Sequence, residues 1–260
     1  MTSRFAEIDR RLSEVKILTL DIERLPGLAR VWDQKTRYLP VSQWTRMPQL
    51  LCVAAKWYGQ REILFRSAWD DPERMVRDVW GWIDEADILY TFNGDRFDLP
   101  HLRGAFLTAG LPPTRPYKSV DLFKVAKQFG FESKSLDHLC YRLGFPGKQT
   151  HYDASTAQRA LDGDERAQRD MERYNSRDVR ITEKAADHLR PWIHTHPVVS
   201  PTAGDELRCH ACGSSRLKPE PTDYTAQVLT YALYRCQRCH APVVARHHKG
   251  RVGRTKGVKP

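Results

Sequence analysis

The run Ile17-Leu18-Thr19-Leu20-Asp21-Ile22-Glu23 decides how the chain is read. An apolar, strand-forming stretch leads directly into two acids that stand two positions apart. In a strand, residues i and i+2 face the same side. If the strand continues through them, Asp21 and Glu23 aim at one point. Magnesium and manganese take oxygen ligands, so a site built for either ion calls for a cluster of carboxylates.

Two further blocks place acids within reach of the same point. Asn93-Gly94-Asp95-Arg96-Phe97-Asp98 follows the apolar run Ile88-Leu89-Tyr90-Thr91-Phe92, so Asp98 can reach the same end of a sheet. Tyr174-Asn175-Ser176-Arg177-Asp178 lies inside a long helical stretch. Tyr174 stands one turn before Asp178 on the same helix face. Phosphodiester hydrolysis needs a nucleophilic water, an oriented phosphate and help for the leaving oxygen, and two divalent ions about 4 Å apart supply all three. A phenol with an ordinary pKa of about 10 can orient or polarise that water without acting as the main base.

The order D-x-E, N-x3-F-D, Y-x3-D resembles the DEDD superfamily of 3′–5′ exonucleases, in its tyrosine-bearing (DEDDy) branch, over about residues 13–190. The histidine-bearing branch would place His where this chain has Arg173. Lys134-Ser135-Leu136-Asp137-His138-Leu139, followed by Leu143-Gly144, resembles the inter-motif helix of the proofreading exonuclease domain of family B DNA polymerases. The resemblance implies an α/β fold, an RNase H-like mixed-sheet exonuclease domain. It implies a phosphodiester hydrolase that shortens single-stranded DNA from 3′ ends with two Mg or Mn ions, alone or with a replication or repair partner. Under it Asp21 bridges both ions, Glu23 and Asp178 bind the catalytic one, and Asp98 holds the second, in part through water. Tyr174 orients the attacking water. Ile22 offers a backbone position for the terminal nucleotide, Asn93 and Phe97 give support, and Phe97 or Leu99 touches the terminal base or sugar. An exoribonuclease or a structure-selective endonuclease on the same centre, and a non-catalytic nucleic-acid-binding scaffold, are the competing readings.

A second signal lies downstream. Cys209-His210-Ala211-Cys212 and Cys236-Gln237-Arg238-Cys239 form two C-x2-C knuckles, the pattern of a small zinc ribbon with one structural Zn. The run from Tyr224 to Tyr234 between them is long enough for a hairpin. Such a module has little apolar core, so metal binding supplies much of its folding free energy. Arg235 and Arg238, with Arg208, Arg216 and Lys218, are candidates to hold phosphate. Tyr224, Tyr231 and Tyr234 either stack on unpaired bases or pack the module.

The remaining features set boundaries. The pattern predicts a short polar helix or frayed arm over 1–12, a strand over 27–33, a helix over 121–129 and a long helix from Asp164 to about Trp192 with a break near Arg173. The chain of 260 residues is 40% apolar and 28% charged, enough for one large domain and a small one. The expected division is 1–195 for the exonuclease domain, 196–206 for a linker, 207–242 for the ribbon and 243–260 for a basic flexible tail. Net charge is +10, and Arg246, Lys249, Arg251, Arg254, Lys256 and Lys259 crowd the end without an acid. Such a tail favours a polyanion by counterion release or keeps the end soluble. No apolar run of about 18 residues is present and the N-terminus lacks a secretory pattern, so a cytoplasmic protein with no membrane span is expected. Cys52 and Cys140 lie in apolar patterns and read as core thiols. Asp95 reads as a turn residue, Asp121 as a helix cap, His101 and His138 as partly exposed helix residues, and Lys148 with His151 as a solvated loop. Trp32, Tyr38, Trp44 and Trp57 either line a nucleic-acid groove or pack inside. No G-x4-G-K-S/T pattern is present, which excludes a nucleotide-driven motor of that type.

Overall fold

The structure, a computed structural model, describes residues 15–147, 153–193, 195–197, 207–226 and 229–251, with the backbone alone at 226 and 246–251. The expected N-terminal arm at 1–12, most of the linker, and Lys148 with His151 lie outside the described residues. The chain divides into two compact units, 16–187 and 188–260 together with 1–15.

The larger unit is built on seven strands: β1 (Ile17–Leu25), β2 (Leu28–Ala29), β3 (Trp44–Arg46), β4 (Gln49–Trp57), β5 (Leu64–Ser67), β6 (Ile88–Thr91) and β7 (Lys118–Asp121). Five form one mixed sheet in the order β5-β4-β1-β6-β7. β1 is central, antiparallel to β4 and parallel to β6. β5 closes one side antiparallel to β4, and β7 the other parallel to β6. β2 and β3 pair with each other outside this sheet.

Among the described residues six α-helices accompany the strands: α1 (Pro72–Glu85), α2 (Asp98–Thr108), α3 (Leu122–Ala126), α4 (Leu136–Arg142), α5 (Ala154–Leu161) and α6 (Glu165–Leu189). Their starts follow local chemistry. The Asp71 carboxylate accepts from the Arg74 N–H at 2.9 Å, and Pro72 occupies the first turn of α1. Asp121, Ser135 and Asp153 cap α3, α4 and α5 in the same way.

The alternation of β1 sorts its side chains onto two faces. Leu18, Leu20 and Ile22 join Met75, Val79 and Ile83 of α1 and Leu99, Leu102 and Phe106 of α2 in one core cluster. Leu25 of the opposite face joins Leu51, Cys52, Ala157 and Ala160 of α5, and Ala167 and Met171 of α6. The alanines let the two helices approach the sheet closely. Each fully buried Leu, Ile or Met contributes about 1.5–3 kcal/mol. Asp21 and Glu23 share the face of Leu25, which is the face that α6 covers.

The sequence reading is corrected at several places. The strand expected over 27–33 shrinks to β2, because its backbone pairs with β3 over two residues only. β7 was not foreseen; its Lys118 and Ser119 obscure a strand that is short and partly exposed at a sheet edge. The helix expected over 121–129 ends at Ala126. Helix α5 was missed, since eight residues give too little period to read. The break considered near Arg173 is absent and α6 is continuous.

The smaller unit contains β8 (Leu217–Pro219), β9 (Tyr224–Ala226), β10 (Leu229–Cys236) and β11 (Pro242–Arg251). β10 is the hub, antiparallel to β8, β9 and β11. The β9–β10 pairing is the hairpin expected between the knuckles. The backbone past 242, expected as a flexible tail, is strand as far as Arg251. Val243 and Val244 pair opposite Tyr234 and Leu233, and this ladder carries the strand onward.

On the α6 face, Lys56 of β4 bonds Glu183 at 2.6 Å, with both side chains nearly buried. Tyr58 bonds Asp187 at 2.8 Å one turn further along α6. Removing one member of a buried pair strands the other charge, whereas replacing both with apolar groups is nearly neutral. Glu183→Ala is therefore expected to lower unfolding free energy by about 3 kcal/mol, read as a shifted urea midpoint. Lys56→Met with Glu183→Leu should recover most of it. An unshifted midpoint in the single variant would show the pair to be inert.

Candidate metal centre

β1 pairs with β6 only over Ile17–Thr19, whereas its pairing with β4 continues to Leu25. The sheet therefore opens between β1 and β6 just where Asp21 begins the acidic block. A register shift between Glu23 and Arg24 lets β4 carry an extra residue, Leu51, opposite that point. Bulges of this kind re-aim side chains.

Asp21, Glu23 and Asp178 each offer a carboxylate oxygen, and these oxygens lie within 4.8 Å of one another. The first two come from one strand face and the third from α6, which packs over that face. Three carboxylates this close disfavour one another's ionisation. A divalent cation removes that conflict, and oxygen-only donors suit hard ions. Asp178 is 2% exposed, so its charge has little help from bulk water. Tyr174 is half-buried one turn earlier on the same helix.

Asp98 arrives from the other face of the sheet, in the first turn of α2, and is 3% exposed. Its Oδ1 accepts the Ile22 N–H at 3.0 Å. It stands outside the three-carboxylate group but is tied to the residue between Asp21 and Glu23. Ile22, expected to offer a backbone position to a terminal nucleotide, has a buried side chain and an N–H already taken by Asp98.

One residue of the site was passed over in the sequence. The Asn175 Nδ2 donates to Asp21 Oδ2 at 2.7 Å and to the Asp21 carbonyl at 3.2 Å, fixing the carboxylate's orientation. The available signal was its spacing three positions before Asp178, hence on the same helix face.

The loop that delivers Asp98 is itself anchored. Asn93 is left-handed, with φ 68°, and its N–H reaches Asp121 Oδ1 at 2.7 Å. The same oxygen accepts the Phe123 N–H at 3.0 Å, so Asp121 caps α3 and holds the loop together. A Cβ at Gly94 would lie 2.4 Å from Thr91, which explains glycine there. Asn93 thus serves through its backbone. Burial opposes ionisation of Asp95, yet hydrogen bonds from Lys124 and Ser119 hold it below the usual carboxylate range. Phe97 is partly exposed and meets the His101 ring edge-on at 5.0 Å. Leu99, expected as an alternative contact for a terminal base or sugar, is 2% exposed within the α1–α2 core, whereas the Phe97 ring stays accessible.

Burial raises the Cys52 thiol well above its usual range, reinforced by Glu23 and Asp21. Cys140 is pushed up to about 11, chiefly by burial. Both behave as the core thiols expected.

The four knuckle cysteines converge. Cys209 Sγ lies 3.5 Å from Cys239 Sγ, and Cys212 Sγ 3.6 Å from Cys236 Sγ. A tetrahedral ion with metal–sulfur bonds of about 2.3 Å places its sulfurs about 3.8 Å apart, so the spacing fits a metal better than a disulfide. Gly213 and His240, the residues after each knuckle, are both left-handed and close matching turns. The Arg238 N–H points to Cys236 Sγ at 3.4 Å. Hydrogen bonding to Cys212 and the neighbouring sulfurs, with burial, pushes Cys209 far up; a bound cation reverses that preference. Arg235 binds Glu220 at 2.7 Å and the His240 carbonyl at 3.2 Å, so it braces the ribbon where the sequence suggested a phosphate contact.

Arg24, next to Glu23, donates to the ring Nε2 of His101 at 3.0 Å. Both line a cleft of about 890 Å³ with Leu50, Met75 and Ala105. Burial, then the Arg24 charge, lowers the His101 pKa, which keeps the ring neutral and able to accept. Arg24→Met removes the positive neighbour, so the His101 pKa should rise toward the usual value without fully reaching it. NMR titration of the ring protons reads this directly. A folded-state pKa below the unfolded one means the associated stability is complete above about pH 6.5 and is lost as pH falls through the lowered value. An unchanged or lower pKa in the variant would contradict the contact.

Comparison with known proteins agrees with this architecture. No curated protein matches the sequence. The solved structure of the family B DNA polymerase from the hyperthermophilic archaeon Pyrobaculum calidifontis is similar, with a TM-score of 0.53 and 19% identity. The similarity covers 68% of this chain and 25% of the polymerase, so the chain matches about a quarter of that protein. At that identity the likeness is one of fold. Among the described residues, no helix is long and apolar enough to cross a membrane. A family model described as the RNase_H superfamily matches residues 50–190, more than half of the chain, from β4 through α6. The mixed sheet and this match give one conclusion: the chain belongs to the RNase H superfamily.

Proposed function

We propose that the chain is a metal-dependent 3′–5′ exonuclease that hydrolyses phosphodiester bonds in single-stranded DNA. The convergence of Asp21, Glu23 and Asp178 at the opening of the sheet supports this most. Two Mg or Mn ions, when bound, would supply an activated water and stabilise the charge that develops on phosphate and leaving oxygen. Asp21, held by Asn175, is suited to bridge the pair. Glu23 and Asp178 would complete the catalytic ion, and Asp98 would hold the second, in part through water. Tyr174 would orient the attacking water from one turn along α6, while Phe97 would stack on the terminal base or sugar. DNA is preferred over RNA as the first substrate because the similar solved structure is a DNA polymerase. In the ribbon, Cys209, Cys212, Cys236 and Cys239 would hold one structural zinc. A cytoplasmic setting and a replication or repair partner belong to the same proposal.

The test is cleavage of 5′-labelled single-stranded DNA and RNA with Mg or Mn. A ladder that shortens from the 3′ end is expected, with Asp98→Ala slowing it about a thousandfold or more while the fold persists. Internal cuts would redirect the reading to an endonuclease, and full activity in Asp98→Ala would remove that residue from the centre. Stripping zinc should expose residues 207–242 to limited proteolysis and leave the 16–187 unit resistant. A protein free of zinc by elemental analysis, yet equally resistant, would contradict the zinc assignment.

A further inference from the structure

Residues 26–48 leave the central sheet as an arm between β1 and β4. Trp32 is 98% exposed and Tyr38 77%, with Val31 and Val41 of the same segment also exposed. Aromatic surface concentrated in this way marks a contact site more often than a chance arrangement.

The arm is a built feature. At its root β2 pairs with β3, and the Arg30 N–H donates to the Gln43 carbonyl at 2.9 Å. The Thr45 hydroxyl donates to the Leu28 carbonyl at 3.1 Å. Arg46 ties the root to the Pro26 carbonyl and to Gln158 of α5. The Trp44 ring lies so close over Gly27 that a Cβ there would sit 2.2 Å from it. Near the tip, Asp33 accepts the Lys35 N–H at 3.2 Å, and its carbonyl accepts the Thr36 hydroxyl at 2.6 Å. The root tryptophan is thus used for packing, and the tip aromatics are left in water.

Charge decides the occupant. Asp33 is the single acid between 26 and 48, against Arg30, Lys35, Arg37 and Arg46. Arg46 is engaged at the root, whereas Arg30, Lys35 and Arg37 are exposed and have no acidic partner among the described residues. Exposed π faces interleaved with unpaired cations match unpaired bases joined by phosphates. The arm also continues directly from the strand that carries Asp21 and Glu23.

We infer that the arm is a stacking platform for single-stranded nucleic acid, with Trp32 and Tyr38 taking bases and Arg30, Lys35 and Arg37 the phosphates between them. This rests on the reading that a polynucleotide is the substrate, and it extends the grip beyond the terminal nucleotide. The stacking is sequence-tolerant because every base has a π face.

The test is fluorescence anisotropy of labelled oligothymidylates of about 4 and about 16 nucleotides, with the full chain and no added Mg or Mn. Trp32→Ala is expected to weaken the longer oligonucleotide about tenfold and the shorter one much less. Arg30→Ala with Arg37→Ala should flatten the slope of log affinity against log salt by about 1.4. Unchanged affinity for the longer oligonucleotide in Trp32→Ala, or no binding by the unaltered chain, overturns the platform. So does a chain whose self-association in sedimentation is lost on Trp32→Ala while oligonucleotide binding is kept. Tight, Trp32-dependent binding with no cleavage once Mg or Mn is added would sink the exonuclease reading alone. Cleavage with Trp32-independent binding would sink the platform alone.

Discussion

The contact on which the site depends is the hydrogen bond from the Ile22 N–H to Asp98 Oδ1, 3.0 Å long. β6 stops pairing with β1 at Thr19, so the backbone of Ile22 must find another acceptor near the open edge. A carboxylate supplies it, and a carboxylate that accepts a backbone N–H is favoured as an anion. One bond therefore satisfies the strand end, fixes the first turn of α2 and sets an acid beside the Asp21–Glu23 pair. Helix α6 completes the arrangement from the opposite face, where small residues allow it to approach the sheet.

The site is assembled from segments that fail to regularise. β1 outruns β6, β4 carries an extra residue opposite Glu23, and Asn93 adopts a left-handed backbone that Asp121 stabilises. Two of these are matched by a carboxylate that repairs the backbone: Asp98 at Ile22, and Asp121 at the 93–95 loop. The ribbon follows different logic. Its strands are short and its core is small, so four convergent sulfurs do what apolar burial does in the larger unit.

Much of this was legible because period reveals face. The two-residue spacing of Asp21 and Glu23 and the four-residue spacing of Tyr174 and Asp178 each put a pair on one surface, and two C-x2-C knuckles define their own geometry. What period does not reveal is which face of the sheet a neighbour covers. The sequence treated the four acids as one group, whereas Asp98 approaches from the α2 side and acts first on a backbone amide. The resemblance offered Leu99 beside Phe97 as a contact for the terminal base or sugar, but its own position in α2 points into the core. Asn175 was hidden between two more conspicuous residues. Edge strand β7 and the short α5 carry too few patterned positions to register.

The most direct test of the metal-centre account is anomalous scattering from crystals of the protein grown or soaked with manganese. Two peaks about 4 Å apart, bounded by Asp21, Glu23, Asp98 and Asp178, are the predicted result. No peak among these carboxylates, with manganese bound elsewhere, would contradict it.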